Sequence, residues 1–155
     1  MEPQASKAGR GYVATVLGCY CPRCREGKLF ENPFRFSFKS KNLKMNEVCS
    51  VCGQHTDLEV GFYYGTGYVS YMLSFALTVA SFVAWWVLIG FSVKDTRFIY
   101  WLVFNSFLLV FAQPWLMRLS RSLWLSWFVK YDPYWKENGP SDAPERTNDA
   151  LKNNW

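Results

Sequence analysis

The sequence predicts a membrane protein with three structured parts: an N-terminal zinc ribbon, which is a small β domain, a two-helix transmembrane hairpin, and a C-terminal interfacial amphipathic helix. Three observations predict it: two long runs without charged residues, four cysteines in two Cys-x2-Cys pairs, and a basic, tryptophan-rich segment after the second run. The predicted order is a flexible N-terminus over 1–17, the zinc ribbon over 18–60, the hairpin over 61–117, the interfacial helix over 118–131 and a polar tail over 132–155.

The two uncharged runs cover 60–93, which is 34 residues, and 98–117, which is 20 residues. A helix needs about 20 predominantly apolar residues to cross the hydrocarbon core of a bilayer. We therefore place the membrane spans at about 68–91 and 98–117. Tyrosines cluster at the start of the first span and tryptophans toward its end, as expected for amphipathic rings at the two headgroup levels.

The cysteine pairs are Cys21 with Cys24 and Cys49 with Cys52, separated by 24 residues. Four thiolates match the tetrahedral coordination of zinc, and paired Cys-x2-Cys spacing is a strong signal for it. We predict one structural Zn²⁺ bound by these four residues. Iron in a thiolate-only site is not excluded by spacing alone. A redox dithiol is the other alternative, but it expects a βαβ surround and leaves the second pair unexplained.

Two further residues near the predicted site are candidate ligands. Cys19 lies outside the register of the knuckle turn, and we interpret it as a spectator. His55, the only histidine, follows Cys52 by three residues. We interpret it as a polar surface residue in a loop, because four thiolates already complete the coordination of zinc.

Between the cysteine pairs, residues 32–39 alternate phenylalanine with polar or basic side chains. Period-two alternation predicts a strand with one apolar face, and Phe34, Phe36 and Phe38 are expected to supply the core of the ribbon. Phenylalanine interleaved with Arg and Lys is also the pattern of a nucleic-acid stacking platform. Residues 1–59 carry a net charge of only +3, and basic residues beside a membrane more simply face anionic lipid or set topology.

The spans carry polar residues that predict helix contacts. A stripe of small residues lets a second helix approach closely, and buried amides need partners, so we expect the amides to face the first span or another subunit. The first span has such a stripe of hydroxyls on one face, and the second has two amides on one face. They are Ser70, Ser74, Thr78 and Ser81, and Asn105 and Gln113.

The segment after the second span changes character at Pro114, which is expected to kink the helix. Basic and hydroxyl residues then repeat every four positions, while tryptophan and leucine occupy the other faces. This pattern is typical of a helix that lies along the membrane interface. The basic-hydroxyl stripe consists of Arg118, Ser122, Ser126 and Lys130.

The combination "CPRCREGKLF", "CSVCGQ" and "LEVGFYYGTGYVSY" resembles a bacterial family of small membrane proteins catalogued as a domain of unknown function. The resemblance covers about residues 19–115, and the long insert between the knuckles looks like the Bacteroidota branch of that family. Arg25 stands where the family's knuckle has glycine, which implies a less ideal turn. Genes of this family lie, in some bacteria, among those for haem–copper oxidase subunits and assembly factors. The resemblance therefore implies a link to respiratory complexes and supplies no catalytic residue.

No nucleophile–base pair, carboxylate dyad or open metal site is recognisable, so we do not expect an enzyme or a small-molecule substrate. The leading hypothesis is a non-catalytic accessory or assembly subunit of a larger, hetero-oligomeric inner-membrane complex. The alternatives are a metal- or thiol-handling factor in oxidase biogenesis and a membrane-tethered nucleic-acid-binding module. Two spans place both termini on one side of the bilayer. Thiolates persist in the reducing cytosol, and the charges of the ends favour the inside, so we expect cytoplasmic termini at the bacterial inner membrane.

Overall fold

A computed structural model describes residues 10–36, 40–59, 61–90 and 96–140. Three α-helices organise this part of the chain: α1 (Tyr12–Leu17), α2 (Thr66–Ile89) and α3 (Arg97–Phe128). Two short 3-10 helices, Ser40–Leu43 and Phe62–Gly65, lie between α1 and α2. We call the described residues 18–36 and 40–59 the head.

The described residues contain no β-strand, so the predicted small-β ribbon is not confirmed. Only three isolated bridges occur in the head, and they pair Tyr20 with Lys28, Phe30 with Met45, and Val48 with His55. The predicted strand around the alternating phenylalanines does not form where the structure describes it: Phe34 and Phe36 are 49% and 53% exposed. They are therefore not the core of the head. Phe38 lies outside the described residues.

Two helices are long and apolar enough to cross a membrane. One candidate span is Phe62–Ile89, with 28 residues and a mean hydropathy of 2.1. The other is Arg97–Phe128, with 32 residues and a mean hydropathy of 1.4. The sequence placed the first span within two residues of α2 and the start of the second within one residue of α3. Length and composition thus permit a transmembrane hairpin.

The helices α2 and α3 pack against each other in antiparallel orientation. Near the connecting loop, the ring of Phe82 lies edge-on to that of Trp101, with centroids 5.2 Å apart. The Ser81 hydroxyl donates a hydrogen bond of 2.8 Å to Oδ1 of the buried Asn105. The expectation that this amide faces the first span is therefore confirmed.

The hydroxyl stripe of α2 lies on the part-buried face of that helix, while Tyr71, Phe75 and Val79 on the other faces are exposed. Ser74 and Thr78 donate hydrogen bonds of 2.9 Å to carbonyl groups one turn earlier in their own helix. Their hydroxyls are therefore satisfied within α2, and we infer that their small size, rather than a hydrogen bond, favours close approach of α3.

Replacing Ser74 and Thr78 together by leucine is expected to disrupt the hairpin, because added bulk in a close helix contact is destabilising by about 1–3 kcal/mol. Replacement of both by alanine is expected to be mild, since hydrogen bonds in membrane helices average about 0.6 kcal/mol. Thermal stability of the purified variants in nanodiscs measures the difference. Equal stability of the leucine and alanine variants would show that the stripe does not contact α3.

The helix α3 does not end at Met117. It continues through the buried Pro114 to Phe128, which gives it a length of about 48 Å against about 30 Å of hydrocarbon core. Arg118 and Ser122 are buried, and Arg118 donates hydrogen bonds to the head, whereas Lys130 at the end of the basic-hydroxyl stripe is exposed. The predicted interfacial helix over 118–131 is therefore not a separate element: residues 118–128 are the end of α3, and Trp127 and Phe128 on this segment are exposed.

Both ends of the described chain are folded against the rest of the protein. The predicted flexible N-terminus contains α1, whose Thr15 and Val16 are buried and whose Tyr12 hydroxyl lies 3.0 Å from Oγ of Ser126 in α3. At the other end, residues 131–140 return to the head. The structure thus corrects the prediction for 12–17, while residues 1–9 and 141–155 lie outside the described part.

Buried Arg23 holds this returning segment. Its guanidinium donates to Asp132 at 3.4 Å, to the Asn138 carbonyl at 2.8 Å and to the Gly139 carbonyl. A hydrogen bond from Asn138, with a smaller effect of Arg23, lowers the pKa of Asp132. The start of the predicted polar tail is therefore fixed by a residue between Cys21 and Cys24.

Candidate metal centre

The four predicted ligands come together in one buried cluster. The sulfur atoms of Cys21, Cys24, Cys49 and Cys52 all lie within 4.8 Å of one another. The Sγ atoms of Cys21 and Cys52 are 3.7 Å apart, and those of Cys24 and Cys49 are 3.8 Å apart. A tetrahedral zinc ion with Zn–S bonds of about 2.3 Å requires sulfurs about 3.8 Å apart. The cluster is thus compatible with a tetrahedral metal ion.

The same distances weigh against a disulfide, in which the sulfurs are about 2.05 Å apart. Both of these short contacts join one Cys-x2-Cys pair to the other pair. A redox dithiol formed by Cys21 and Cys24 alone does not account for this cross-pairing, whereas a shared ion does.

Two similar backbone turns position the sulfurs. In the first, the Arg25 N–H donates to the Cys21 carbonyl at 2.8 Å; in the second, the Gly53 N–H donates to the Cys49 carbonyl at 3.0 Å. The residue after the second cysteine of each pair is left-handed, with φ of 61° at Arg25 and 70° at Gly53. Two copies of one turn thus present two sulfurs each to a common centre.

Arg25 adopts a conformation that suits glycine, at a cost of about 1–2 kcal/mol. Its side chain makes contacts that offset this cost. The guanidinium lies 4.0 Å from the centroid of the Tyr131 ring and donates to the Arg10 carbonyl at 3.1 Å. The left-handed conformation of Arg25 is therefore accommodated by contacts to Arg10, which precedes α1, and to Tyr131, which follows α3.

Gly27 is a site residue that our sequence reasoning missed. Its N–H donates to Sγ of Cys24 at 3.4 Å, and its carbonyl accepts from the Cys21 N–H at 2.7 Å. A Cβ atom at this position would overlap Sγ of Cys49. The signal in the sequence was the glycine three residues after Cys24, which lets the second knuckle approach the first.

Replacing Gly27 by alanine is expected to displace Cys49, to lower the zinc content per chain and to destabilise the head by about 1–3 kcal/mol, the usual cost of overpacking. Gly11→Ala is the matched control, because a Cβ there meets no atom within 4 Å. Zinc analysis and thermal unfolding of both variants measure the effect. Full zinc content and unchanged unfolding in Gly27→Ala would contradict the close approach.

The cluster has the electrostatics of a cation site. Its thiols share protons: hydrogen bonding, first with Cys24, raises the pKa of Cys21, and hydrogen bonding, first with Cys21, lowers the pKa of Cys49. The thiolate is the form that binds metal, so binding releases the remaining protons. A divalent cation relieves the repulsion that four thiolates would otherwise suffer at this spacing.

Cys19 and His55 are not in the cluster. Burial raises the pKa of the Cys19 thiol to about 11, with a smaller opposing effect of Arg118. Cys19 is thus a neutral thiol at physiological pH. His55 is part-buried, and its backbone bridges to Val48. The placement of both residues agrees with their interpretation as non-ligands.

The end of α3 completes the core around the cluster. Leu125 is fully buried, and Val129 is 3% exposed, in the same cluster of side chains as the four cysteines, Leu29 and Phe30. The four cysteines and the end of α3, which is a candidate membrane span, therefore share one hydrophobic core.

Two arginines of α3 bind backbone carbonyl groups of the head. Arg118 Nε donates to the Asn42 carbonyl at 2.7 Å. Nη2 of Arg118 donates to Asn42 Oδ1 at 2.9 Å and to the Asn32 carbonyl at 3.1 Å. Arg121 donates to the Leu43 carbonyl at 2.9 Å. Of these acceptors, the Asn32 carbonyl lies in the predicted strand over 32–39, and its bond to Arg118 takes the place of a bond to a neighbouring strand.

Neither a scan of protein-family models, nor a search of curated proteins, nor a search of solved structures returns a match to this chain. The interpretation of the site therefore rests on its geometry.

Proposed function

We propose that this chain is a non-catalytic accessory or assembly subunit of a larger membrane complex, in which a hairpin of α2 and α3 carries a zinc-stabilised docking head. The observation that carries the proposal is the closed, buried cluster of four cysteines. Catalytic zinc keeps one coordination position open for water or substrate, whereas four thiolates fill the tetrahedron. The bound metal would serve folding, because a head of about 40 residues buries too little surface alone.

The exposed outer surface of the hairpin supports the proposal that the chain has a partner within the membrane. In the most apolar window of α2, no residue is buried, and in that of α3 only 17% are. The exposed surface is unusually aromatic for one hairpin and offers rings to lipid or to further helices. These residues include Tyr68, Tyr71, Phe75, Phe107 and Phe111.

The location we propose is the bacterial inner membrane, with both termini in the cytoplasm. A cluster of four free thiols is suited to a reducing compartment. The link to a respiratory, haem–copper oxidase complex has one support, which is the family resemblance of the cysteine pairs and the tyrosine-rich start of α2.

A cysteine introduced at Thr96, the exposed residue that precedes α3, is expected to react with a membrane-impermeant thiol reagent added to intact cells. Glu137→Cys, also exposed but beyond the far end of α3, is the control and should react only after lysis. Labelling is read from the mass of the purified chain. The opposite pattern would invert the proposed topology, and equal labelling of both would contradict a transmembrane hairpin.

Affinity purification from native membranes in mild detergent tests the function. We expect a partner with several membrane spans to co-purify in constant ratio, to be lost with Cys49→Ser and to be retained with Cys19→Ser. Migration of the wild-type chain alone on a native gel would contradict the proposal. Rapid loss of zinc to a weak chelator would favour the metal-handling alternative, and salt-sensitive binding of nucleic acid by the full chain would favour the tethering module.

A further inference from the structure

The loop that follows the first knuckle extends along α3 toward its apolar segment. We call residues 32–36 the aromatic loop. The ring of Phe36 stacks on the ring of Phe111, with centroids 5.6 Å apart and planes at 29°. Phe111 lies within the uncharged run 98–117, seven residues before Arg118, which is about 10 Å along the helix axis. The loop thus reaches well past the basic residue that ends the apolar run.

The rings at this level have little protein around them. Phe34 and Phe36 are 49% and 53% exposed, Phe111 is 60% exposed and Trp115 is 40% exposed. Tryptophan in a spanning helix favours the headgroup level, and Phe111 lies about one turn deeper. The aromatic loop therefore continues the apolar surface of α3 at the depth where headgroups meet acyl chains.

Hydrogen bonds fix the loop at this depth. Asn42, 6% exposed, donates through its amide to the Arg35 carbonyl at 2.7 Å. Its Oδ1 accepts a hydrogen bond of 2.9 Å from the buried Arg118, which also donates to the Asn32 carbonyl. The backbone on both sides of Phe34 is thereby tied to one position on α3. A loop tied to the helix in this way enters the bilayer to the same extent as that part of the helix.

We propose that the aromatic loop is a third membrane contact, in which Phe34 and Phe36 insert among the phospholipid acyl chains next to the headgroups of the leaflet on the side of the head. Exposed Arg35 lies between them, and its long side chain reaches the phosphate level. Aromatic rings stabilise such contacts by removing apolar surface from water. The inference rests on the helices spanning a bilayer and does not depend on the proposed complex.

The test places 4-trifluoromethyl-phenylalanine at Phe34 or Phe36 of the full chain in phospholipid nanodiscs and measures fluorine relaxation. Dioxygen, which concentrates in lipid, and a water-soluble nickel chelate are the two paramagnetic probes. Phe104, half-exposed within the candidate span, is the lipid control, and Tyr134, exposed beyond the far end of α3, is the water control. Because each label replaces one ring by a similar ring, the fold is retained.

We expect the ratio of dioxygen to nickel relaxation at Phe34 and Phe36 to be several-fold higher than at Tyr134 and to approach that at Phe104. A ratio at both loop positions equal to that at Tyr134, with Phe104 in lipid, would overturn the inference alone. If Phe104 also gives the water value, the helices do not span the bilayer, and the premise fails together with the inference.

Discussion

Replacing Cys49 by serine is expected to abolish metal binding and to unfold the head. Structural zinc contributes about 10–16 kcal/mol of apparent binding free energy in small metal-dependent domains. A serine hydroxyl does not replace a thiolate whose sulfur lies 3.8 Å from that of Cys24. We expect zinc per chain to fall from one to near zero and amide protons of the head to exchange rapidly with solvent. Metal analysis and hydrogen exchange of the purified protein measure both effects.

Cys19→Ser is the matched control for this substitution, because Cys19 packs against the same core without joining the cluster. It is expected to retain one zinc per chain and slow exchange in the head. Zinc retained in Cys49→Ser and lost in Cys19→Ser would overturn the ligand assignment.

Replacing Arg118 by methionine is expected to cost about 3–5 kcal/mol of local stability in the head. Arg118 is 4% exposed, and its guanidinium donates three hydrogen bonds to Asn32 and Asn42. Methionine has a similar length but no donor, so buried carbonyl groups lose their partners, and each such loss costs about 1–3 kcal/mol. Hydrogen exchange of amides in residues 40–46 gives the free energy of local opening.

Lys130→Met is the matched control, because it also removes one positive charge, near the end of α3, but from an exposed side chain. Changes at exposed positions usually stay within about 0.5 kcal/mol. If the amides of residues 40–46 exchange as slowly in Arg118→Met as in Lys130→Met, the hydrogen bonds of Arg118 do not stabilise this part of the head.

The cluster of four cysteines could be predicted from the sequence because its signal is local. Each pair of cysteines lies in one short turn, and the spacing of Cys21 with Cys24 and of Cys49 with Cys52 states which sulfurs converge. The start of α3 and both ends of α2 could also be predicted, since an uncharged run of helical length is recognised without knowing its partner. Asn105 followed from the cost of burying an amide without a partner.

The end of α3 could not be predicted because its partners are distant in the chain. Arg118, Ser122, Ser126 and Lys130 form the same periodic pattern whether they face a membrane surface or a protein surface. In the structure, Arg118 faces a protein surface, because it donates a hydrogen bond to the carbonyl of Asn42, 76 residues earlier in the chain. Pro114 removes only one backbone donor, so it does not end a helix that has neighbours on its buried face.

The alternating phenylalanines were misread for a related reason. Period two in residues 32–39 predicts a strand only if neighbouring strands supply the hydrogen bonds. Here the carbonyl of Asn32 is taken by Arg118, and both backbone groups of Arg35 are taken by the side chain of Asn42. The core around the cysteines contains instead Leu29 and Phe30 of the head, Leu125 of α3 and Val129, which follows α3.

X-ray absorption at the zinc edge, together with metal analysis of the wild-type protein purified from its native membrane, tests the central claim most directly. The cluster predicts one zinc per chain with four sulfur neighbours at about 2.3 Å and no nitrogen or oxygen neighbour. Iron in place of zinc, a mixed coordination shell, or a chain that folds with its four thiols free of metal would contradict a closed structural zinc centre.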